Sequence, residues 1–220
     1  MRSFTEYFKG FFVGCSQTIV GHPFDTVKTR IQAGQTIDIN KLYRGISFPL
    51  ITSCLTNSIM FGSYSYFRES ESYNNFVSGF LAGIVISPIM TPVEKSKIDF
   101  QVSPRMTLAD IQYSKLYRGF QATLMRESLS TGIYFSSYQC CKDAEYFSGS
   151  SNVLFSGGIA GMMSWFFTYP IDVIKTRIQS GETSSFYQGF QKGHLYRGLS
   201  VCLARSFLVN SIGFLIYEKI

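Results

Sequence analysis

The sequence predicts an all-α membrane protein: six transmembrane helices in a pseudo-threefold bundle, formed as one domain over residues 1–220 from three tandem two-helix repeats. Three observations predict it. The first is a repeat with a period of about 70 to 80 residues, carried by Pro23-Phe24-Asp25-Thr26-Val27-Lys28, Pro92-Val93-Glu94-Lys95-Ser96-Lys97 and Pro170-Ile171-Asp172-Val173-Ile174-Lys175. Glycine pairs precede the prolines at one offset (Gly10 and Gly14, Gly79 and Gly83, Gly157 and Gly161), and Gln32, Gln101 and Gln179 follow them at another. The second is the triplet that closes each copy: Tyr43-Arg44-Gly45, Tyr117-Arg118-Gly119 and Tyr196-Arg197-Gly198. The third is that Gly45 to Phe67, Ser72 to Val93 and Ser148 to Ile171 contain no Asp, Glu, Lys or Arg, and each suffices for the roughly 20 residues that a helix needs to cross a bilayer.

The repeat units read as residues 1–72, 73–148 and 149–220, none able to fold alone because each would leave an apolar face uncovered. Within a unit, the first helix runs through the glycine pair to the proline and slightly beyond. The second begins at the Arg-Gly and continues for about twenty residues. Glycines four apart let helix backbones approach closely, and proline bends a helix, both suited to a bundle curved around a cavity.

A formal charge of +6 permits a soluble, basic, nucleic-acid-binding repeat protein, but charge-free runs of this length are foreign to one. No nucleic acid polymer is expected as a partner. Cys15, Cys54, Cys140, Cys141 and Cys202 form neither a C-x-x-C pair nor a disulfide framework, and His22 and His194 are too few for a metal site. The expectation is therefore no metal and no cofactor. The first residues carry Glu6 ahead of the apolar run and no small-residue cleavage site, so no removed presequence is expected.

In each motif the acid and the lysine are three apart, on one face of a helix. Three such pairs suggest a ring in which each acid meets the lysine of another unit and closes one mouth of the bundle, since unpaired charges beside a low-dielectric cavity are costly. With these residues in hand, the chain resembles the mitochondrial carrier family (solute carrier family 25 type) over its whole length. The resemblance implies a multi-pass protein of the mitochondrial inner membrane, both termini cytosolic, that moves a solute by alternating access at one central site, as an antiporter and not as an enzyme. It further implies a matrix gate of Asp25 with Lys97, Glu94 with Lys175 and Asp172 with Lys28, braced by Gln32, Gln101 and Gln179. Cardiolipin would be the lipid partner at Arg44-Gly45, Arg118-Gly119 and Arg197-Gly198, where helix N-termini favour phosphate. A glycine turn with a snorkelling arginine explains those positions equally well. The closed bundle implies a monomer.

Charges in mid-span point to the solute. Each costs about 2.5 to 3.5 kcal/mol on the insertion scale and so faces a cavity with a task. Arg126 and Glu127 lie within the fourth predicted helix, and Arg205 lies at the matching depth of the sixth; in the second helix that place is Thr52, with Thr56 a turn further. A purely structural pair of Glu127 with either arginine is the competing explanation. In motif the chain is nearest to carriers of carnitine, ornithine and basic amino acids, which implies that the arginines hold a carboxylate and Glu127 an ammonium or trimethylammonium group. A nucleotide or deoxynucleotide carrier is the alternative within transport, and a transport-inactive membrane scaffold the alternative outside it.

The chain departs from the family's pattern in three places. Asp99 replaces the second basic residue seen at Arg30 and Arg177, and the acid-glycine pair expected before each triplet is missing. The third place is the cytosolic gate, an aromatic-acid-x-x-basic motif in the family. Here Tyr64 is followed by Ser65 and Arg68, Tyr138 by Gln139 and Lys142, and Tyr217 by Glu218 with no base in step. Glu218 with Arg68 is the one ion pair expected there, so this mouth should close less firmly than the other.

Overall fold

The computed structural model describes residues 2–32, 42–43, 46–70, 73–102, 116–181, 185–191, 193–196 and 198–220. These form seven helices and, among the described residues, no strand: α1 Arg2–Gln32, α2 Ser47–Ser70, α3 Asn75–Val102, α4 Phe120–Asp143, α5 Ser150–Ser180, α6 Phe186–Gln191 and α7 Leu199–Lys219. The six long ones stand where the repeat places them. The short α6 is an addition that the periodicity did not announce.

Two details explain the helix limits. α4 and α7 are each preceded by a glycine of the triplet, Gly119 at φ 83° and Gly198 at φ 89°. Only glycine adopts that left-handed region without strain, so the triplet fixes where each helix starts. The prolines, in contrast, do not end their helices: α1 runs past Pro23, α3 past Pro88 and Pro92, and α5 past Pro170. A proline removes one backbone bond and bends the helix, and neighbouring helices hold the rest in place.

Each long helix packs on its chain neighbour, and α7 returns to pack on α1, so α1, α2, α3, α4, α5 and α7 form a closed ring. Glycine permits the tight seams. A Cβ on Gly10 would lie 2.5 Å from the Asn57 carbonyl oxygen, one on Gly79 2.6 Å from the Thr131 carbonyl oxygen, and one on Gly157 2.9 Å from that of Asn210. Asn57, Thr131 and Asn210 are themselves repeat equivalents, so one seam is built three times. Hydroxyls reinforce it: Thr131 donates to the Gly79 carbonyl at 2.7 Å and Ser53 to that of Gly14 at 3.1 Å.

The distribution of polarity is inverted relative to a water-soluble domain. Ser78, Ser87, Thr91, Thr123, Ser156 and Thr168 are almost wholly buried, while Ile51, Leu55, Phe166 and Phe167 point outward and are about half exposed or more. Apolar outside and small polar residues at the seams are what helix packing in lipid selects. Among the described residues, one helix is by itself long and apolar enough to cross a membrane, α3 over Asn75–Ser96.

Candidate functional site

Five of the charged side chains predicted from the sequence come together. Arg126 of α4 hydrogen-bonds its neighbour Glu127 and, through Nε, Asp172 Oδ1 of α5 at 3.2 Å. Its guanidinium also lies 5.2 Å from the ring centroid of Trp165, the sole tryptophan of the chain. Lys175, 2% exposed, reaches Glu94 Oε2 of α3 at 2.5 Å and Glu127 Oε1 at 3.9 Å. Five ionisable groups from three helices thus make one connected cluster in which Glu127 links the predicted solute site to the predicted gate. Among these described residues three are carboxylates and two are basic.

Glu94 and Lys175 are thus in direct contact. Asp172 lies against Arg126, while Asp25, Lys28, Lys97, Gln32 and Gln101 have side chains outside the described residues. Gln179 is 1% exposed and donates to the Thr123 hydroxyl at 3.3 Å, tying α5 to α4 beside Gly119. Thr56 turns its hydroxyl back to the Thr52 carbonyl at 2.9 Å, one helical turn below. Arg205 of α7 faces α1, its Nη2 lying 3.2 Å from where a Cβ on Gly21 would be; a larger residue at 21 would press on this arginine. Gly119 and Gly198 cap their helices and Arg118 is exposed, whereas Arg44, Gly45 and Arg197 lie outside the described residues.

The opposite mouth, at the C-terminal ends of α2, α4 and α7, is closed by aromatic rings. Tyr64 stacks on Phe135 (centroids 3.7 Å apart, planes at 5°), Tyr138 on Phe214 (3.6 Å, 3°) and Tyr217 on Phe61 (4.7 Å, 30°). Each tyrosine thus meets the phenylalanine of another of these helices, and the cycle closes. Phe61, Phe135 and Phe214 are at most 3% exposed and belong to the principal core cluster. Sequence reasoning named the three tyrosines and missed the three phenylalanines. The signal was present, since Phe-x-x-Tyr recurs at residues 61–64, 135–138 and 214–217.

The ion pair at this mouth differs from the expected one. Glu218 binds Lys142 at 2.5 Å and accepts the Tyr138 hydroxyl at 2.8 Å. Arg68 instead donates to Asn75 Oδ1 at 2.8 Å and to the Tyr73 carbonyl at 2.9 Å, because the turn into α3 brings these acceptors within its reach. The stacked rings supply contact at this mouth where acids are missing. Below them, Asn210 Oδ1 accepts from Tyr134 at 3.0 Å and from Gln17 at 3.1 Å, joining α1, α4 and α7.

Comparison with known proteins gives a consistent picture. The family pattern described as mitochondrial carrier protein matches residues 68–149 and 147–220. The mitochondrial arginine transporter BAC2 of Arabidopsis thaliana is 32% identical over 97% of this chain and 89% of its own length. Solute carrier family 25 member 45 of Mus musculus is 29% identical over 97% of the chain and 96% of its own length. The mitochondrial basic amino acids transporter of Homo sapiens is 28% identical over 92% and 78% respectively.

Proposed function

The chain belongs to the mitochondrial carrier family, and from that premise we propose that it transports an amino-acid-like solute of basic character across the mitochondrial inner membrane. The architecture this calls for is a multi-pass, pseudo-threefold bundle of six spans, α1 to α5 and α7, monomeric and bound by cardiolipin at the Arg-Gly helix starts. The observation that carries the substrate class is the buried Glu127 carboxylate, set among Arg126 and Lys175 with Glu94 and Asp172 close by. A guanidinium or ammonium group entering the cavity would offset that charge. A nucleotide would add several negative charges to it, which places the nucleotide reading second.

Arg205 is the group for the solute's carboxylate, opposite Glu127, which takes the cationic end. Relatives named for arginine and basic amino acids favour the same class. Arrival of a cation at Glu127 would compete with Lys175 and Arg126, and so would loosen Glu94–Lys175 and Asp172–Arg126 together. Binding and matrix-gate release are coupled in this way, because a solute shifts an equilibrium only through contacts that differ between its states. The remaining gate pairs, Asp25 with Lys97 and Asp172 with Lys28, and the braces Gln32, Gln101 and Gln179, complete the proposed matrix side.

The test is uptake into liposomes loaded with each candidate in turn: arginine, lysine, ornithine, carnitine and adenine nucleotides. Saturable uptake of the basic amino acids, with little of the nucleotides, is expected. Nucleotide uptake alone would overturn the substrate class, and no uptake of any solute would favour the membrane scaffold.

A further inference from the structure

At the aromatic mouth every tyrosine hydroxyl donates to an acceptor that also receives a cation. Tyr64 donates to Asn75 Oδ1 at 3.0 Å, the same oxygen that takes Arg68 Nε at 2.8 Å. Tyr217 donates to Glu6, whose other oxygen lies 3.6 Å from Lys9, and the Lys9 ammonium stands 5.3 Å from the Tyr217 ring centroid. Tyr138 donates to Glu218, which also holds Lys142. Glu6 and Asn75 occupy one place in the repeat, four residues before Gly10 and Gly79. In the third repeat Val153 stands there, packed by its apolar side chain against the core cluster. It offers no acceptor, and Tyr138 turns to α7 instead.

From this we propose that Glu6 of α1 and Asn75 of α3 are positioning residues that latch the aromatic mouth shut. Each fastens the gate tyrosine of a different helix, α7 and α2 respectively, so α7 cannot leave α1, nor α2 leave α3, until that bond breaks. The third tyrosine is fastened between α4 and α7, which makes opening asymmetric: α4 and α7 stay joined while α2 separates from α3 and α7 from α1. The proposal rests on the reading above that this mouth opens during transport.

The experiment measures opening without a solute. In protein whose Cys15, Cys54, Cys140, Cys141 and Cys202 are serine, a cysteine placed at Thr52 is labelled in proteoliposomes by a membrane-impermeant maleimide added on the side of the aromatic mouth. Asn75→Leu, Glu6→Leu, Tyr64→Phe and Tyr217→Phe should each raise the labelling rate about three- to tenfold, the range expected for one net hydrogen bond. Tyr64→Phe combined with Asn75→Leu should label no faster than either alone, since both remove one bond. Asn75→Asp and Glu6→Gln keep an acceptor oxygen and should label at the parent rate. The tyrosine variants differ from the parent by a single oxygen and keep the test open if a leucine variant does not fold. Unchanged rates in the tyrosine variants, multiplying effects in the double variant, or fast labelling in Asn75→Asp and Glu6→Gln would each overturn the latch. Because no solute is involved, faster labelling in a protein that takes up none of the solutes would leave the latch standing and refute the transport reading.

Discussion

Two carboxylates and an indole face hold the Arg126 guanidinium. Its removal has two consequences. Solute loses its guide, and Glu127 and Asp172 lose a partner, at a cost of about 3 to 5 kcal/mol for a buried pair broken on one side. Arg126→Ala should therefore abolish uptake and also lower the detergent melting temperature, whereas Arg205→Ala should abolish uptake with a smaller loss of stability. Melting curves alongside transport assays separate the two, and near-normal uptake by either variant would refute its assignment. Glu127→Gln removes the carboxylate proposed to meet the solute's cationic end, so uptake of arginine should fall at least tenfold while the protein remains folded. Equal arginine uptake by parent and variant would mean that this carboxylate does not select the solute. These three residues were legible in the sequence because a charge in mid-span stands out against apolar surroundings. Trp165 was not, since an aromatic residue in a membrane helix is ordinary until an arginine is found above it.

At the scale of the helices, the seam between odd and even members is backbone against backbone at Gly10, Gly79 and Gly157. Gly79→Leu should prevent folding or cut expression severely, because a Cβ there already meets the Thr131 carbonyl at 2.6 Å and no side-chain rotation relieves a backbone contact. The gate pair is the complementary case, since it acts between helices that are not chain neighbours. Glu94→Lys with Lys175→Glu should regain a measurable part of the uptake that each single change loses; a double variant no better than the singles would refute a direct gate role for this pair. The six long helices could be read from the repeat because glycine, proline and the Arg-Gly start recur at fixed offsets. α6 could not, as its Phe186–Gln191 segment has no counterpart in the other two units and is too short for periodicity to register. Alignment to the arginine transporter of Arabidopsis runs over 265 positions against the 220 residues of this chain, so the relative carries segments that this chain lacks.

Across the whole molecule the described residues gather different chemistry at two levels. One holds buried charged groups around Glu94, Lys175, Arg126 and Asp172, the other six stacked aromatic side chains with the acid-base pairs Lys142–Glu218 and Lys9–Glu6 beside them. The Lys142–Glu218 pair is about one-third exposed and worth at most about 1 kcal/mol, whereas truncating a buried phenylalanine such as Phe135 to alanine costs about 3 to 5 kcal/mol. Phe135→Ala should therefore open the aromatic mouth further than Lys142→Ala does, read as faster maleimide labelling at Thr52→Cys; the reverse order would show that the ion pair dominates. The motif-level reading of this mouth weighed ion pairs and tyrosine hydroxyls, and the phenylalanines of the Phe-x-x-Tyr repeat escaped it because they carry no polar atom. Closure of this kind also bears on leakage. Protons travel along files of hydrogen-bonded water, and a constriction of apolar rings breaks such a file by drying out. A carrier so plugged can sit idle in an energised bilayer without short-circuiting the gradient across it.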